Sequence, residues 1–476
     1  MRTSWSALCP PAAVICCLLI SLSVRTAHAQ FNYVTNDGTI TITKYTGAGG
    51  EVTIPGEIDG LPVTAIGDEA FAISDATRVT IPGSVTNIGI SAFHYCTDLT
   101  AILVDPLNGF YSSVDGVLFD EPLTTLLQYP GGKSGSYAIP EGVMAIAPGA
   151  FFQTADLPEV RIPQSVTTVG DYAFASCGRL TAITVDARNP VYTSADGVLF
   201  AGGQARLIQY PAGKAGNYTI PDSVTTIGNY GFYACSQLTG VTIPNRVTSI
   251  GLDAFSRCTS LVTVTLPNRI TAIQEYTFYD CTSLASVTMP NGVTRVEQFA
   301  FFGCSSLTNV IFSDTLTRIH PWAFRGCTSL TAVTIPGSVV NIGDYAFFNC
   351  TSLVAAYFEG NTPRVGTFAF NTPTTLYYLP GAAGWGPAFA GRPAAPWVLP
   401  YPVILCLVPD FGIKADTFGF TISWASNASV VVEASLNLEG PTWVPVGTNT
   451  LISGASYFSD TNWSNYTSRC YRIRWP

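Results

Sequence analysis

Cysteine is the residue type in this chain whose spacing most strongly suggests chemistry, because regularly spaced thiols can form disulfides or bind soft metal ions. Six cysteines lie 23 residues apart: Cys235, Cys258, Cys281, Cys304, Cys327 and Cys350. In a stacked repeat, equivalent residues lie about 4.8 Å apart with parallel side chains. Their Cβ atoms are then farther apart than the roughly 3.5–4.5 Å of a disulfide. We therefore expect buried free thiols. Cys406 and Cys470 lie outside this spacing, and either a bridge between them or two free thiols is compatible with the sequence.

The other residue types that enzymes use form no recognisable catalytic pattern. His94 and His320 lie in different repeats, and neither has a cysteine or carboxylate at metal-ligand spacing. The sequence contains no glycine-rich phosphate loop and no nucleophile-elbow motif. Asp171 and Asp344 recur at one turn position, which indicates a structural role. We predict no catalytic residue, no metal and no cofactor, so that a carbohydrate-active enzyme with a hidden carboxylate pair is the least favoured alternative.

The residues that must position the cysteines form a repeat, which has a phenylalanine three residues before each cysteine. These are Phe232, Phe255, Phe278, Phe301, Phe324 and Phe347. One unit reads Leu-x-x-Val-x-Ile-Pro, Val-x-x-Ile-Gly, Ala-Phe-x-x-Cys between Leu238 and Cys258. The first segment alternates as a strand does, proline ends it, and glycine permits the next turn. One unit cannot bury its own apolar face, so the repeat predicts a stack of coils with these phenylalanines and cysteines as its core.

This repeat resembles the BspA-type leucine-rich repeats of bacterial and protist surface proteins. The segment 333–353, Val-Thr-Ile-Pro-Gly-Ser-Val-Val-Asn-Ile-Gly-Asp-Tyr-Ala-Phe-Phe-Asn-Cys-Thr-Ser-Leu, matches the family pattern almost position for position. The resemblance covers about residues 38–380. It implies a mainly β, right-handed leucine-rich-repeat solenoid of short parallel strands, turns and short helical pieces. It also implies a surface protein that acts in adhesion and protein binding, without enzymatic activity.

Two lengthened coils interrupt the regular spacing, and both contain an Asp-Gly pair between apolar alternations. The pairs are Asp115-Gly116 and Asp196-Gly197, within the longer coils 104–140 and 185–221. Asp-Gly in this setting is a strong β-hairpin signal. The hairpins are interpreted either as variants of the coil or as insertions that contact a binding partner.

The outward residue of each predicted strand lies between two inward residues, and it is most often threonine. This row suits a half-exposed strand by propensity alone, and it is also a flat surface that a protein or glycan could bind. With the two hairpin aspartates, the candidate binding surface comprises Thr242, Thr265, Thr288, Thr334, Tyr357, Tyr378, Asp115 and Asp196.

The remaining organisation follows from where the repeat begins and ends. Trp385, Phe389 and Trp397 are expected to seal the last coil. Short strand-like runs after residue 402 predict a small β-sandwich, similar to C-terminal β-modules on secreted proteins of environmental bacteria. The expected organisation is a signal peptide at 1–29, an N-terminal cap at 30–52, the solenoid at 53–380, a cap and linker at 381–402, and the C-terminal β-module at 403–476.

The N-terminus has the features of a secretory signal peptide, with Arg2, an apolar run and Ala27-His28-Ala29 before a cleavage site at Gln30. Cleavage would leave 20 basic and 31 acidic residues, a net charge of −11. An acidic chain argues against nucleic acid as a partner. No later segment is apolar and long enough to span a membrane. We expect a monomer that is secreted or held at the cell surface.

The sequence therefore predicts a non-catalytic binding or adhesion scaffold for a protein or glycan at a cell or matrix surface. The alternative is a structural component of the surface or matrix, anchored by the C-terminal β-module. The case for adhesion comes from the family resemblance, because the threonine row itself is chemically plain.

Overall fold

The computed structural model of the protein describes residues 30–476 except 372, 400, 407–410, 415–416, 425–427, 439–440, 453 and 476. The predicted signal peptide at 1–29 lies outside the described residues. The chain divides into two compact units. The first holds the residues up to Gly203 with Gln209–Gly213, and the second holds Gln204–Ile208 with the residues from Lys214 onward. Each unit contains coils of a β-solenoid, and the second also contains the C-terminal β-module.

One side of the coils is a row of strands in which most neighbours pair in parallel. In the first unit these strands are Gly50–Thr53, Ala76–Ile81, Ala101–Val104, Tyr137–Ala138, Glu159–Ile162 and Ala182–Val185. In the second unit they are Gly216–Thr219, Leu238–Thr242, Thr263–Thr265, Ser286–Thr288, Asn309–Ile311, Ala332–Ile335, Ala355–Phe358, Thr375–Tyr378 and Arg392–Pro396. This side is called the strand row. It is the Leu-x-x-Val-x-Ile segment, whose alternation buries every second side chain.

A second side of the coils consists of shorter strands, which also pair in parallel. They are Leu61–Ile66, Asn87–Ile88, Thr125–Gln128, Ala145–Ile146, Thr168–Val169, Arg206–Gln209, Thr226–Ile227, Ser249–Ile250, Ala272–Ile273, Arg295–Val296, Arg318–Ile319, Asn341–Ile342 and Arg364–Val365. Most of them come from the Val-x-x-Ile-Gly segment, and a glycine directly follows seven of the thirteen.

The third side consists of turns, where short helical pieces were expected. The cause is the residue two positions before each core phenylalanine, which has a left-handed backbone that a right-handed helix cannot contain. Tyr230, Tyr276, Phe299, Trp322 and Tyr345 have φ between 55° and 58°. In the part of the chain that the structure describes, the only helix is a 3-10 turn at Trp463–Asn465. No helix there is long and apolar enough to cross a membrane.

The predicted phenylalanines form a buried column through the second unit, as expected. The six from Phe232 to Phe347 are fully buried. Neighbouring rings are stacked, with centroids 4.7–5.5 Å apart and interplanar angles of at most 15°. In the first unit, Phe151 and Phe174 stack in the same way at 5.0 Å. These rings therefore belong to the buried core of the coils.

The repeat cysteines are free and buried, and each has a defined hydrogen-bonding role. From Cys258 to Cys350, each thiol donates to the backbone carbonyl of the core phenylalanine in the preceding coil, at Sγ–O distances of 3.0–3.3 Å. Burial raises the pKa of the Cys281 and Cys304 thiols well above their usual value. Cys406 and Cys470 are also free, so the possible bridge between them is not formed.

Backbone hydrogen bonds between coils run in opposite directions on two sides of the solenoid. On the turn side, the N–H groups that bond between coils donate to the following coil, as from Phe278 to the carbonyl of Ala300 at 2.8 Å. Beside the short strands, the N–H groups that bond between coils donate to the preceding coil, as from Gly251 to the carbonyl of Ile227 at 3.0 Å. The coil stack is thus polar along its axis on each of these sides.

The N-terminal cap is a β-hairpin of Phe31–Asn36 and Thr39–Tyr45. The second strand of this hairpin pairs in parallel with Leu61–Ile66. A short strand at Glu57–Ile58 pairs antiparallel with Leu61–Ile66. The Tyr45 ring stacks on the Phe71 ring at 5.3 Å, which covers the first core ring of the column.

The last coil is sealed by two of the three aromatic residues expected there. Trp385 stacks on Tyr378 at 5.1 Å and lies 4.9 Å from Phe389. Its indole Nε1 donates to the carbonyl of Gly360 at 3.0 Å. The short strand Ala388–Phe389 pairs antiparallel with Arg392–Pro396. Trp397 does not seal the coil, since it packs on the outer face of the strand row, as described below.

Both lengthened coils carry the predicted hairpins. The strands are Tyr111–Val114 with Val117–Asp120, and Tyr192–Ala195 with Val198–Ala201. In each turn the aspartate and the glycine both have positive φ, which is the geometry that makes Asp-Gly a hairpin signal.

The C-terminal module consists of two antiparallel sheets. One contains Val403–Leu405, Gly412–Lys414, Thr417–Ser423 and Ala455–Asp460. The other contains Ser429–Ser435, Val444–Thr450 and Cys470–Arg474. Phe420 and Ile422 from the first sheet share one buried cluster with Val430 and Val432 from the second. The predicted β-sandwich is therefore confirmed.

Candidate binding surfaces

The strand row of the second unit has the register that the sequence predicts for its outward residues. Thr242 is paired with Thr265, Thr288 with Ile311, and Thr334 with Tyr357. The four threonines are exposed. They form a flat, uncharged surface beside the inward valines that hold each strand in place.

The end of this row differs from the prediction, because Tyr377 and not Tyr378 continues it. Tyr357 is paired with Tyr377, which lies 20 residues later in place of the usual 23. Tyr378 is paired with the buried Phe358 and stacks on Trp385. The coil is shorter by three residues, an odd number, and adjacent strand residues point to opposite faces, so Tyr377 points outward and Tyr378 inward.

Three aromatic side chains gather at this end of the row. The rings of Tyr357 and Tyr377 stack at 5.1 Å, and Trp397 lies 4.7 Å from the Tyr357 ring. All three are half-buried. The flat threonine surface therefore ends at a raised aromatic group, where Trp397 also reaches the neighbouring cleft.

This cleft has a volume of about 890 Å³ and lies between the last coils and the first strand of the C-terminal module. Trp397 and Tyr401 contribute aromatic walls, and Asp314, Glu359 and Asn361 contribute polar groups. Each acid follows a strand of the row, so the coil repeat brings residues 45 positions apart to one edge. The sequence gives little signal for this site, because the cleft depends on how the module packs.

The cleft is acidic. Desolvation raises the pKa of the Glu359 carboxyl, and the negative charge of Asp314 raises it further. Among the described residues, neither acid belongs to an ion pair within 4.0 Å. A ligand that brings hydroxyl or cationic donors would satisfy these carboxylates.

A second exposed feature, which the sequence reasoning missed, lies on the turn side of the second unit. It is called the aromatic strip and comprises Tyr276, Tyr279, Phe299, Phe302, Trp322, Arg325, Tyr345, Phe348 and Phe368. These residues stand two positions before or one position after the core phenylalanines, and this spacing was the available signal. All are half-buried except Phe368, which is 63% exposed.

The remaining residues singled out from the sequence have structural surroundings. His94 is buried beside Phe152 at 5.2 Å, and burial lowers its pKa. His320 has a spatial partner one coil earlier, with its Nε2 3.4 Å from the Glu297 carboxylate. Within the described residues, no group of three or more His, Cys, Asp or Glu side chains could hold a metal ion.

Three of the four aspartates named for turns differ in their surroundings. Asp344 accepts a hydrogen bond from the N–H of Thr367 in the next coil at 2.6 Å, which fits the expected structural role. Asp115 is exposed at its hairpin turn and lies 3.1 Å from the Lys133 ammonium. Asp196 is exposed at the equivalent turn. The hairpin turns thus carry exposed aspartates, and that of the first hairpin is ion-paired.

Comparison with models of known protein families gives a match to the repeat. The model of the BspA type leucine rich repeat region matches in six copies, over residues 51–113, 133–198, 210–327 and 271–380. The chain belongs to this family. The matched ranges include the aromatic strip and most of the strand row, while residues 114–132 and 199–209 of the two hairpin coils and the C-terminal module lie outside them. No curated protein matches the sequence.

Several solved structures of leucine-rich-repeat proteins are similar to this chain. A leucine rich cell surface protein from Faecalibacterium prausnitzii A2-165 is 29% identical, and the match covers 66% of this chain and 93% of that one with a TM-score of 0.41. A leucine-rich repeat protein from Eubacterium ventriosum is 24% identical over 66% of this chain and 91% of that one, with a TM-score of 0.47. The pneumococcal vaccine antigen PcpA is 16% identical over 78% and 98%, with a TM-score of 0.42.

Proposed function

We propose that this protein is a non-catalytic binding scaffold that acts outside the cell and takes a protein or glycan ligand at the acidic cleft. The observation that carries the proposal is Trp397, which joins the aromatic end of the strand row to the cleft. A cleft of this size, with aromatic walls and a few polar groups, has the usual make-up of a ligand site. The extracellular location rests on the signal peptide expected at 1–29.

The chemistry of the cleft supports a ligand with many hydrogen-bond donors. Asp314 and Glu359 supply acceptors, while Trp397 and Tyr401 supply apolar area. Both glycans and protein surfaces combine donors with apolar patches. The flat row ending at Tyr357 gives such a ligand room to extend along the coils.

The test is binding of the mature chain, residues 30–476, to a glycan array and to a panel of purified matrix and mucin proteins. We expect at least one probe to bind, and Trp397→Ala to weaken that binding at least tenfold, which corresponds to about 1.4 kcal/mol. Trp322→Ala is the matched control, because it removes a half-buried tryptophan outside the cleft. Binding by this control should equal that of the unmodified chain.

Three results would contradict the proposal. No probe binds, or Trp322→Ala weakens binding as much as Trp397→Ala does. The third is hydrolysis of a bound glycan that Glu359→Gln abolishes, because that would make the cleft an active site with a working carboxylate pair.

A further inference from the structure

The aromatic strip exposes ring edges and hides ring faces. Tyr276, Phe299, Trp322 and Tyr345 stack at successive centroid distances of 4.8, 4.9 and 6.0 Å, with interplanar angles of 10–16°. Such stacking covers both faces of the inner rings and leaves their edges outward. A sugar that stacks on an aromatic side chain needs an open face, whereas ring edges pack against apolar and aromatic side chains. The strip therefore fits a protein surface.

Two charged groups in or beside the strip have no ion-pair partner of their own. The Arg325 guanidinium lies over the rings of Phe302 and Phe348, at 5.4 and 5.5 Å. Asp280 is half-buried next to Tyr279. Among the described residues, neither charge is within 4.0 Å of an opposite charge. A half-buried charge of this kind is stabilised when an opposite charge reaches it.

The order of these charges along the coils is symmetric about one coil. Asp280 lies one coil before Phe302 and Gly303, and Arg325 lies one coil after them. The Asp280 carboxylate occupies the space that a side chain at Gly303 would need, so it lies beside this central coil. A two-fold axis at this coil would place Asp280 of each copy opposite Arg325 of the other, because a two-fold interface uses the same patch on both copies.

We infer that a second copy of this chain covers the aromatic strip in an antiparallel, two-fold arrangement. The column from Tyr276 to Phe368 spans five coils, about 19 Å at about 4.8 Å per coil. This is short for an interface of the usual area of about 800 Å² per partner. The association is therefore expected to be weak. The inference departs from the monomer expected from the sequence and uses none of the cleft residues.

The experiment is sedimentation equilibrium of the mature chain, residues 30–476, over a concentration range that spans about 1–300 μM. The expected result is a monomer–dimer equilibrium. Arg325→Asp alone and Asp280→Arg alone each place like charges opposite one another, and each should weaken dimerisation at least tenfold. An equimolar mixture of the two variants restores both opposite-charge contacts, so it should form a mixed dimer with an affinity close to that of the unmodified chain.

Arg318→Asp is the matched control, because it reverses an exposed arginine on the short-strand side. Its dimerisation should be unchanged. The inference is overturned by a monomer at every concentration, which would leave the strip to a different protein. It is also overturned if the mixture of variants stays monomeric or if Arg318→Asp weakens dimerisation as much as Arg325→Asp. Circular dichroism of each variant verifies the fold, and the mixture separates lost contacts from lost folding.

Discussion

Truncating one ring of the core column, by Phe301→Ala, should destabilise the coils around it. Phe301 is fully buried and stacks on Phe278 at 5.2 Å and on Phe324 at 5.0 Å. Removal of a buried phenylalanine costs about 3–5 kcal/mol. Each of the two stacked pairs contributes about 0.5–1.5 kcal/mol beyond area burial. We therefore expect a cost near the top of this range, about 4–5 kcal/mol.

Amide hydrogen exchange is the suitable assay, because the stability of a repeat array is a sum of local terms. The informative amides are those of Phe278 and Phe301, which donate to the following coils at 2.8 and 2.7 Å. A loss of about 4 kcal/mol accelerates their exchange by about a thousandfold. Phe302→Ala is the matched control, since it removes the neighbouring half-buried ring and should change exchange less than tenfold. Equal acceleration in both variants would refute the assignment of the inner column as the source of stability.

Three further predictions concern charge, thiols and turns. Burial raises the pKa of Asp253 to about 6, above its unfolded value, so the stability it supplies is full at acid pH and is lost as pH rises through 6. Asp253→Asn should therefore raise the melting temperature at pH 7.5 and leave it almost unchanged at pH 3, below the unfolded pKa, and an equal shift at both would contradict this assignment. In the folded chain, Cys406 should react rapidly with a thiol reagent, while the six repeat cysteines from Cys235 to Cys350 should react only after unfolding; rapid reaction of any of the six would show that the column is open. Gly116→Ala should destabilise by about 1–3 kcal/mol, because φ is +74° and the new Cβ would lie 2.8 Å from that of Ala101. Gly109→Ala, with nothing within 4 Å, is its neutral control, and equal melting temperatures for the two variants would disprove the steric argument.

The parts of the fold that a fixed period determines were predictable from the sequence. A spacing of 23 residues places Phe278 between Phe255 and Phe301 whatever the coil shape, so the ring column and the thiol column follow directly. The hairpins were predictable for a local reason, since Asp-Gly has the backbone preferences that such a turn needs. Thr242 and Thr265 followed from strand alternation alone.

The parts that depend on departures from the period were not predictable. The coil shortened to 20 residues moved the outward position from Tyr378 to Tyr377. The cleft required the packing of the C-terminal module against the last coils, which no repeat pattern encodes. The aromatic strip was visible as a spacing, but whether Trp322 points inward or outward depends on its left-handed backbone, and aromatic residue type does not reveal φ.

The opposite hydrogen-bond directions on two sides of the coils restrict how such a chain can have grown during evolution. An end coil leaves unpaired acceptors on one side and unpaired donors on another, and its cap must match both. At the N-terminal end, the N–H of Tyr45 donates to the carbonyl of Ala70, which is an acceptor on the turn side. A coil inserted between two others meets matching groups above and below. The array can therefore accept a coil inserted between two others, while the two caps cannot exchange places.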